Sequence, residues 1–367
     1  MAPTLVDLFC GAGGLSLGFH QAGFQPVFAA DWDVHACRTY EKNLGSHVHR
    51  LDLSTVTTKQ LADQVRDAYG TDIDVVAGGP PCQGFSVQRR GAASDPRNNL
   101  AVRFGQMAVA LEAKAFVLEN VPTILGQRGQ AYVGRILGAW EEHGYDVYKA
   151  ILEAAEYGVP QMRRRAFLVG IRRDLGTTFS FPKPMLRDGQ FVTVRQALAG
   201  IPSPPADQSE HPDFANHRLV GISQVNLERL AHVPEGGGRL DVPRHMQLPC
   251  HQNANGHRHL DVFGRLWWDK PAGTITAMFD NFTRGRFAHP AENRNITGRE
   301  GARLQSFPDR FVFLGPKKDV ARQIGNAVAP LVAQAVAEAL FDALRDGRRV
   351  RKKSVQGNLA VSQQQIR

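Results

Sequence analysis

The sequence predicts an α/β fold built on a mainly parallel sheet, joined to a smaller, loop-rich second domain. Three observations lead there. Short apolar β-type runs alternate with helical patterns through the first half, the pattern of βαβ units. From Pro182 the texture changes to Pro, Gly, Asn and His with little sustained periodicity, and eight of the thirteen histidines lie within 182–298. Regularity then returns near Arg299 and ends in an amphipathic helix over 328–344.

In order along the chain, strands are expected at 4–9, 26–30, 74–77 and 115–118. Helical stretches around 15–22, 33–44, 58–69 and 99–113 separate them. Two further apolar runs, 146–151 and 166–171, have no long helix between them and are expected to pair as a hairpin-like addition. The divisions that follow are 1–181, 182–298, a return segment 299–346 and a tail 347–367. No internal repeat is visible.

Composition describes an ordinary globular protein, 43% hydrophobic and 22% charged over 367 residues. No apolar run of membrane-spanning length is read, and the N-terminus carries no basic leader. Four scattered cysteines, Cys10, Cys37, Cys82 and Cys250, never in CxxC spacing, argue for a reducing, cytoplasmic setting without disulfides. The net charge of +9 permits a polyanionic partner. However, 345–367 alone holds seven Lys or Arg against one Asp. That tail reads as solvated and disordered.

The turn Asp7-Leu-Phe-Cys-Gly11-Ala-Gly13-Gly14 stands where the first strand hands over to the first helix. Glycines there let backbone amides approach a ligand at a helix N-terminus. The next strand ends in Asp31-Trp32, an acid where a ribose is usually held and a ring that can stack on adenine. Ser16 stands where GxGxxG has its third glycine. That favours an adenosine-bearing cofactor other than a dinucleotide.

Gly78-Gly-Pro-Pro-Cys82 closes one apolar run, and Glu119-Asn120-Val121 closes another. Ligands bind open α/β sheets beyond the carboxyl ends of the strands. Phe9–Gly14, Asp31, Cys82 and Glu119 should therefore rim one crevice. Prolines hold the thiol in one direction, although a lone cysteine is usually a small buried hydrophobe. A thiol nucleophile beside a proton-donating carboxyl suits addition to an electron-poor ring.

The segments DLFCGAGGLSLGF (7–19), GGPPCQGFS (78–86), ENV (119–121), QMRRR (161–165), REGARLQSFPD (299–309) and QIGNAVAP (323–330) resemble, in order, the motifs of DNA cytosine-5 methyltransferases. The resemblance implies a Rossmann-like methyltransferase fold that takes S-adenosylmethionine and double-stranded DNA. Cys82 would attack carbon 6 of a flipped cytosine. Glu119 would bond ring nitrogen 3 and the exocyclic amine, with its pKa raised by desolvation. Arg165 would contact oxygen 2, Arg163 would support the loop, and Arg164 would face solvent. No side chain offers itself to remove the carbon 5 proton, so water or hydroxide is expected to do so.

Phe9, Gly11, Gly13, Asp31 and Trp32 match cofactor contacts, with an aspartate at 31 where many members carry glutamate. Asp52 and Leu53 are assigned as the adenine-contacting pair, and Asn326 and Val328 as the residues closing the methionine end. Residues 86–99, with Arg89, Arg90 and Arg97, resemble the loop that closes over flipped DNA.

The resemblance makes 182–298 a target-recognition domain. Arg239, Arg244, Arg258, Arg265, Arg284 and Arg286 are candidates for reading guanine, most of them for touching phosphate instead. Trp267 and Trp268 are expected in the core. Cys250-His251 with His257 and His259 brings zinc to mind, but one cysteine and loose spacing weigh against a metal. The expected enzyme is a monomer of the restriction–modification kind, with a functional pairing to a nuclease. Two alternatives remain: a tRNA cytosine-5 methyltransferase, and a spent DNA-binding regulator.

Overall fold

A computed structural model describes residues 2–81, 99–127, 129–252 and 260–364. Seven strands form one sheet: β1 (Thr4–Leu8), β2 (Gln25–Asp31), β3 (Val48–Arg50), β4 (Val75–Gly78), β5 (Ala115–Asn120), β6 (Tyr145–Glu153) and β7 (Arg164–Arg172). Their order is β3-β2-β1-β4-β5-β7-β6. The first five run parallel; β7 is antiparallel to both β5 and β6, so the expected hairpin-like addition forms. Helices α1 (Gly14–Gln21), α2 (Val34–Leu44), α3 (Thr58–Ala68), α4 (Asn99–Ala110) and α5 (Gln130–Glu142) lie between the strands.

The sequence reading leaves out β3 and α5. β3 is only three residues long and largely exposed, too short for a period to register. α5 follows Gly129 and carries Gly134 and Gly138, which dilute its helical signal despite buried Val133, Ile136 and Trp140.

The central strands are buried on both faces, and alternate residues feed different apolar clusters. Leu5, Val75, Ala77, Val117 and Val169 share one with α11 (Pro330–Gln364). Val6, Leu8, Val76, Phe116 and Leu118 share the other with residues of α3, α4 and α5. α11 lies along α1 because Gly18 has no side chain. A Cβ there would stand 2.5 Å from Ala333 Cβ and from Pro330 O.

Two expectations fail in this last helix. The tail expected to be disordered continues as helix to Gln364, since nothing after Pro330 is a proline. A window within Lys317–Gly347 does have the length and hydropathy to cross a membrane. Most of it is buried inside the fold, which makes its apolar composition that of a core helix.

The 182–298 region is mostly loop. It contributes α6 (Val194–Leu198), α7 (Gln224–Ala231), α8 (Pro249–Gln252) and a two-stranded sheet of β8 (Gly264–Arg265) and β9 (Arg286–Ala288). Its apolar residues Val194, Leu230, Phe263, Ile275, Phe279 and Ile296 share a cluster with Leu304, Phe307 and Ile324. The last three belong to the stretch carrying α9 (Gly298–Leu304) and α10 (Lys317–Asn326).

Candidate active site

The loop after β1 is forced into shape. Phe9, Gly11 and Gly13 all have positive φ, at 60°, 53° and 95°, and Phe9 is a bulky residue where such angles are costly. At Gly13 the φ of 95° itself favours glycine, and a Cβ there would also crowd the Tyr40 ring at 2.8 Å. Gly11 faces open space. No side chain caps α1 from Gly13. Instead Ser16 Oγ in its first turn donates to Asp7 Oδ2 at 2.6 Å. Asp7 is fully buried, and desolvation pushes its carboxyl up to about 7. Tyr40 Oη donates to Ser16 Oγ at 2.9 Å.

Asp31 ends β2 with each carboxylate oxygen anchored once. Oδ2 accepts from Gly11 N and Oδ1 from Asp33 N, both at 2.9 Å. Each oxygen keeps a lone pair for a further donor. Trp32 beside it is 64% exposed, an unusual position for so large a ring. Asp52 turns inward on its own loop, its Oδ1 accepting from Ser54 N and Oγ, while Leu53 is buried. From the far end of the chain, Val328 closes on the glycine loop, for a Cβ on Gly14 would lie 2.3 Å from Val328 O. Asn326 is exposed at the end of α10.

At the carboxyl end of β5, Glu119 is 8% exposed. Its Oε1 lies 2.9 Å from Arg165 Nε, and a Cβ on Gly79 would stand 3.2 Å from its Oε2. The acid therefore sits against the start of the Pro80-Pro81-Cys82 turn. Burial raises its carboxyl above the usual glutamate range, against the opposing charges of Arg165 and Arg163. Asn120 Nδ2 donates to Pro80 O at 3.1 Å, a fastening that the sequence reading did not assign. Cys82, the segment 82–98, and His257, Arg258 and His259 lie outside the described residues.

Arg163 and Arg165 play different parts. Arg163 is buried and donates to Ile275 O and Gly325 O at 2.9 Å and Ala327 O at 3.1 Å. It thereby fastens the start of β7 to both the variable region, residues 182–298, and the return segment. Gln161 works alongside, accepting from Ile275 N and donating to Leu304 O. Arg164 is exposed. Arg163, Arg165, Phe167 and Val328 line a small cavity.

The variable region corrects several expectations. Arg265 is buried and donates to the carbonyls of Val233, Leu230, His289 and Glu292. Arg286 donates to Gly236 O, Gly237 O and Arg265 O and lies 4.1 Å over Trp267. Both are internal struts, because a guanidinium with five donors can gather loop carbonyls that no sheet satisfies. Arg239 is buried too. Arg244 and Arg284 are exposed. Trp267 and Trp268 are half-buried, each beneath an arginine; Trp268 packs against the core cluster as expected, while Trp267 lies outside it.

Comparison with known proteins gives this geometry a family. Residues 4–342 match the profile of the C-5 cytosine-specific DNA methylases. The chain belongs to that family. It is a DNA cytosine-5 methyltransferase with the Rossmann-like fold of S-adenosylmethionine-dependent enzymes. The type II methyltransferase M1.HphI of Haemophilus parahaemolyticus is 38% identical over 90% of this chain and 84% of its own length. M.NgoFVII of Neisseria gonorrhoeae is 36% identical over 89% and 83%. A crystal structure described as a DNA modification methyltransferase of an Escherichia coli prophage superposes with a TM-score of 0.74. It is 27% identical and covers 94% of this chain and all of its own. A Dnmt2 methyltransferase of Schizosaccharomyces pombe, at 18% identity and a TM-score of 0.60 over 93% of this chain and 99% of its own, shares the fold. So distant a likeness shows the fold alone, and the family match to DNA methylases does not favour the tRNA alternative.

The methyltransferase's residues fit its cofactor. Gly11 opens onto free space, Asp31 is oriented with acceptors to spare, and Trp32 presents a bare ring beside it.

Proposed function

We propose that this DNA cytosine-5 methyltransferase works through a covalent bond from Cys82 Sγ to carbon 6 of a cytosine swung out of duplex DNA. S-adenosylmethionine supplies the electrophilic methyl group. Thiolate addition makes carbon 5 nucleophilic and builds negative charge in the ring. Glu119 donates a proton to ring nitrogen 3 and accepts from the exocyclic amine. Arg165 holds Glu119 by its Nε and reaches ring oxygen 2. Arg163 keeps Arg165's strand in place from below. Water or hydroxide takes the carbon 5 proton, and the thiolate then leaves. Phe9, Gly11, Gly13, Asp31, Trp32, Asp52, Leu53, Asn326 and Val328 bind the cofactor.

The observation that carries this reading is the buried Glu119–Arg165 pair, 2.9 Å apart at the mouth of β5 beside Gly79. A carboxyl raised by burial holds its proton more readily than an ordinary glutamate and so is suited to serve as the acid. The test is a duplex with 5-fluorocytosine at the target site, incubated with cofactor. Wild type should give a covalent complex by mass spectrometry and Cys82→Ser none. Trapping by the serine variant would overturn the reading.

Residues 182–298 select the sequence. The type II names of the relatives support a functional pairing with a restriction nuclease, and we infer a monomeric, cytoplasmic enzyme. Bisulfite mapping of DNA from cells expressing the protein reads the recognition site. Co-purification with a nuclease, or a heavier mass in solution, would revise the pairing or the monomer.

A further inference from the structure

α4 carries an arginine that the reaction does not use. Arg103 is half-buried, and its guanidinium reaches across to the connection between β3 and α3. Nε donates to Leu53 O at 2.5 Å and Nη2 donates to Val56 O. These carbonyls bracket a tight loop. Leu51 N donates to Asp31 O at 2.9 Å, continuing the β2–β3 pairing. Asp52 Oδ1 accepts from Ser54 N and Oγ, and Thr55 N and Val56 N both return to Asp52 O. Thr57 and Gln60 then close a capping box that starts α3. The loop is thus well bonded within itself, sheet and helix hold its two ends, and Leu53 in its middle packs into the core. Arg103 adds a hydrogen-bonded fastening to its middle from another element. Its positive charge also helps keep the Asp52 carboxyl below its usual range, after the Ser54 hydrogen bonds.

We propose that Arg103 is a positioning residue for the cofactor: it holds the Asp52–Leu53 loop at the height at which it meets the adenine. The proposal rests on the reading of Asp52 and Leu53 as adenine contacts. Without the fork, the loop samples other heights while the sheet, Asp31 and the base site are unchanged. The loss therefore falls on cofactor binding and not on chemistry.

Calorimetric binding of S-adenosylhomocysteine and steady-state kinetics test this on Arg103→Ala, Arg103→Lys and Asp52→Ala. Arg103→Ala should weaken binding and raise KM for S-adenosylmethionine about tenfold, with kcat at saturating cofactor and KM for DNA within about twofold. Lysine, which can still serve a carbonyl, should recover part of the loss. Amide exchange at 51–56 in the free enzyme should rise in Arg103→Ala. Wild-type affinity in Arg103→Ala, or a lowered kcat at unchanged affinity, overturns the proposal. If Asp52→Ala weakens binding while Arg103→Ala does not, the proposal alone fails. If Asp52→Ala also binds as wild type, the adenine reading fails with it. Should the alanine variant not fold, Arg103→Gln keeps one donor and takes its place.

Discussion

The sheet half and the variable region use charge in opposite ways. In the sheet half, Asp31 and Glu119 close strands at the crevice while Asp7 lies buried against Ser16, and burial raises all three. In the variable region, Arg265, Arg286 and Arg294 turn inward onto carbonyls and carboxylates. A sheet satisfies its own backbone and frees its charged residues for chemistry. A loop-built region spends arginines on holding itself together.

The sharpest way to break this contrast is at Glu119. Glu119→Gln removes the proton but keeps the shape, and should lower kcat by about 10²–10⁴-fold. DNA affinity by fluorescence anisotropy should change little. In wild type, the rate attributed to protonated Glu119 should fall as pH rises through its raised pKa; a pH profile without that limb would remove the carboxyl from its role. Next in size is Arg265→Ala, which strands several buried carbonyls and should cost about 3 kcal/mol or more in denaturant unfolding. The methylated sequence should be unchanged. A changed target would make Arg265 a reader after all.

Smaller effects should follow at exposed Arg284 and Arg244. Alanine at either should weaken DNA binding a few-fold and lower the salt slope by about one each if it touches phosphate. A relaxed target site would mark a base contact instead. The smallest concerns Asp7. Its carboxyl is raised from 3.8 to about 7 in the fold. The stability it contributes is thus full below pH 4 and is lost as pH climbs through about 7. Melting of wild type should therefore decline over that window, and Asp7→Asn should flatten the decline. An unchanged slope would mean that Asp7 does not titrate there.

The sheet half was largely legible because strand period, glycine turns and terminal acids leave local marks. β3 escaped because three residues carry no period, and α5 because glycines interrupt its stripe. Glu119 was read from the end of its strand, and the resemblance assigned Arg163 to support and Arg165 to the base; the fold adds which carbonyls Arg163 gathers and that Arg165 pairs with Glu119. Arg265 and Arg286 misled because an arginine looks the same whether it faces solvent or carbonyls. The signal was there in part, since Arg265 lies between Val262-Phe263 and Leu266-Trp267, apolar company that pulls it inside. Arg103 leaves no mark at all, since its partners are carbonyls about fifty residues away.

α11 packs on α1 and Val328 closes over Gly14, so this wall is synthesised long after the glycine loop that it covers. A growing polypeptide on the ribosome holds the sheet, the glycine loop and the thiol, yet lacks the wall that completes them. Methylating competence is consequently expected only once translation has passed Val328. Prematurely terminated chains lacking residues beyond about 320 would be inert towards the genome that encodes them.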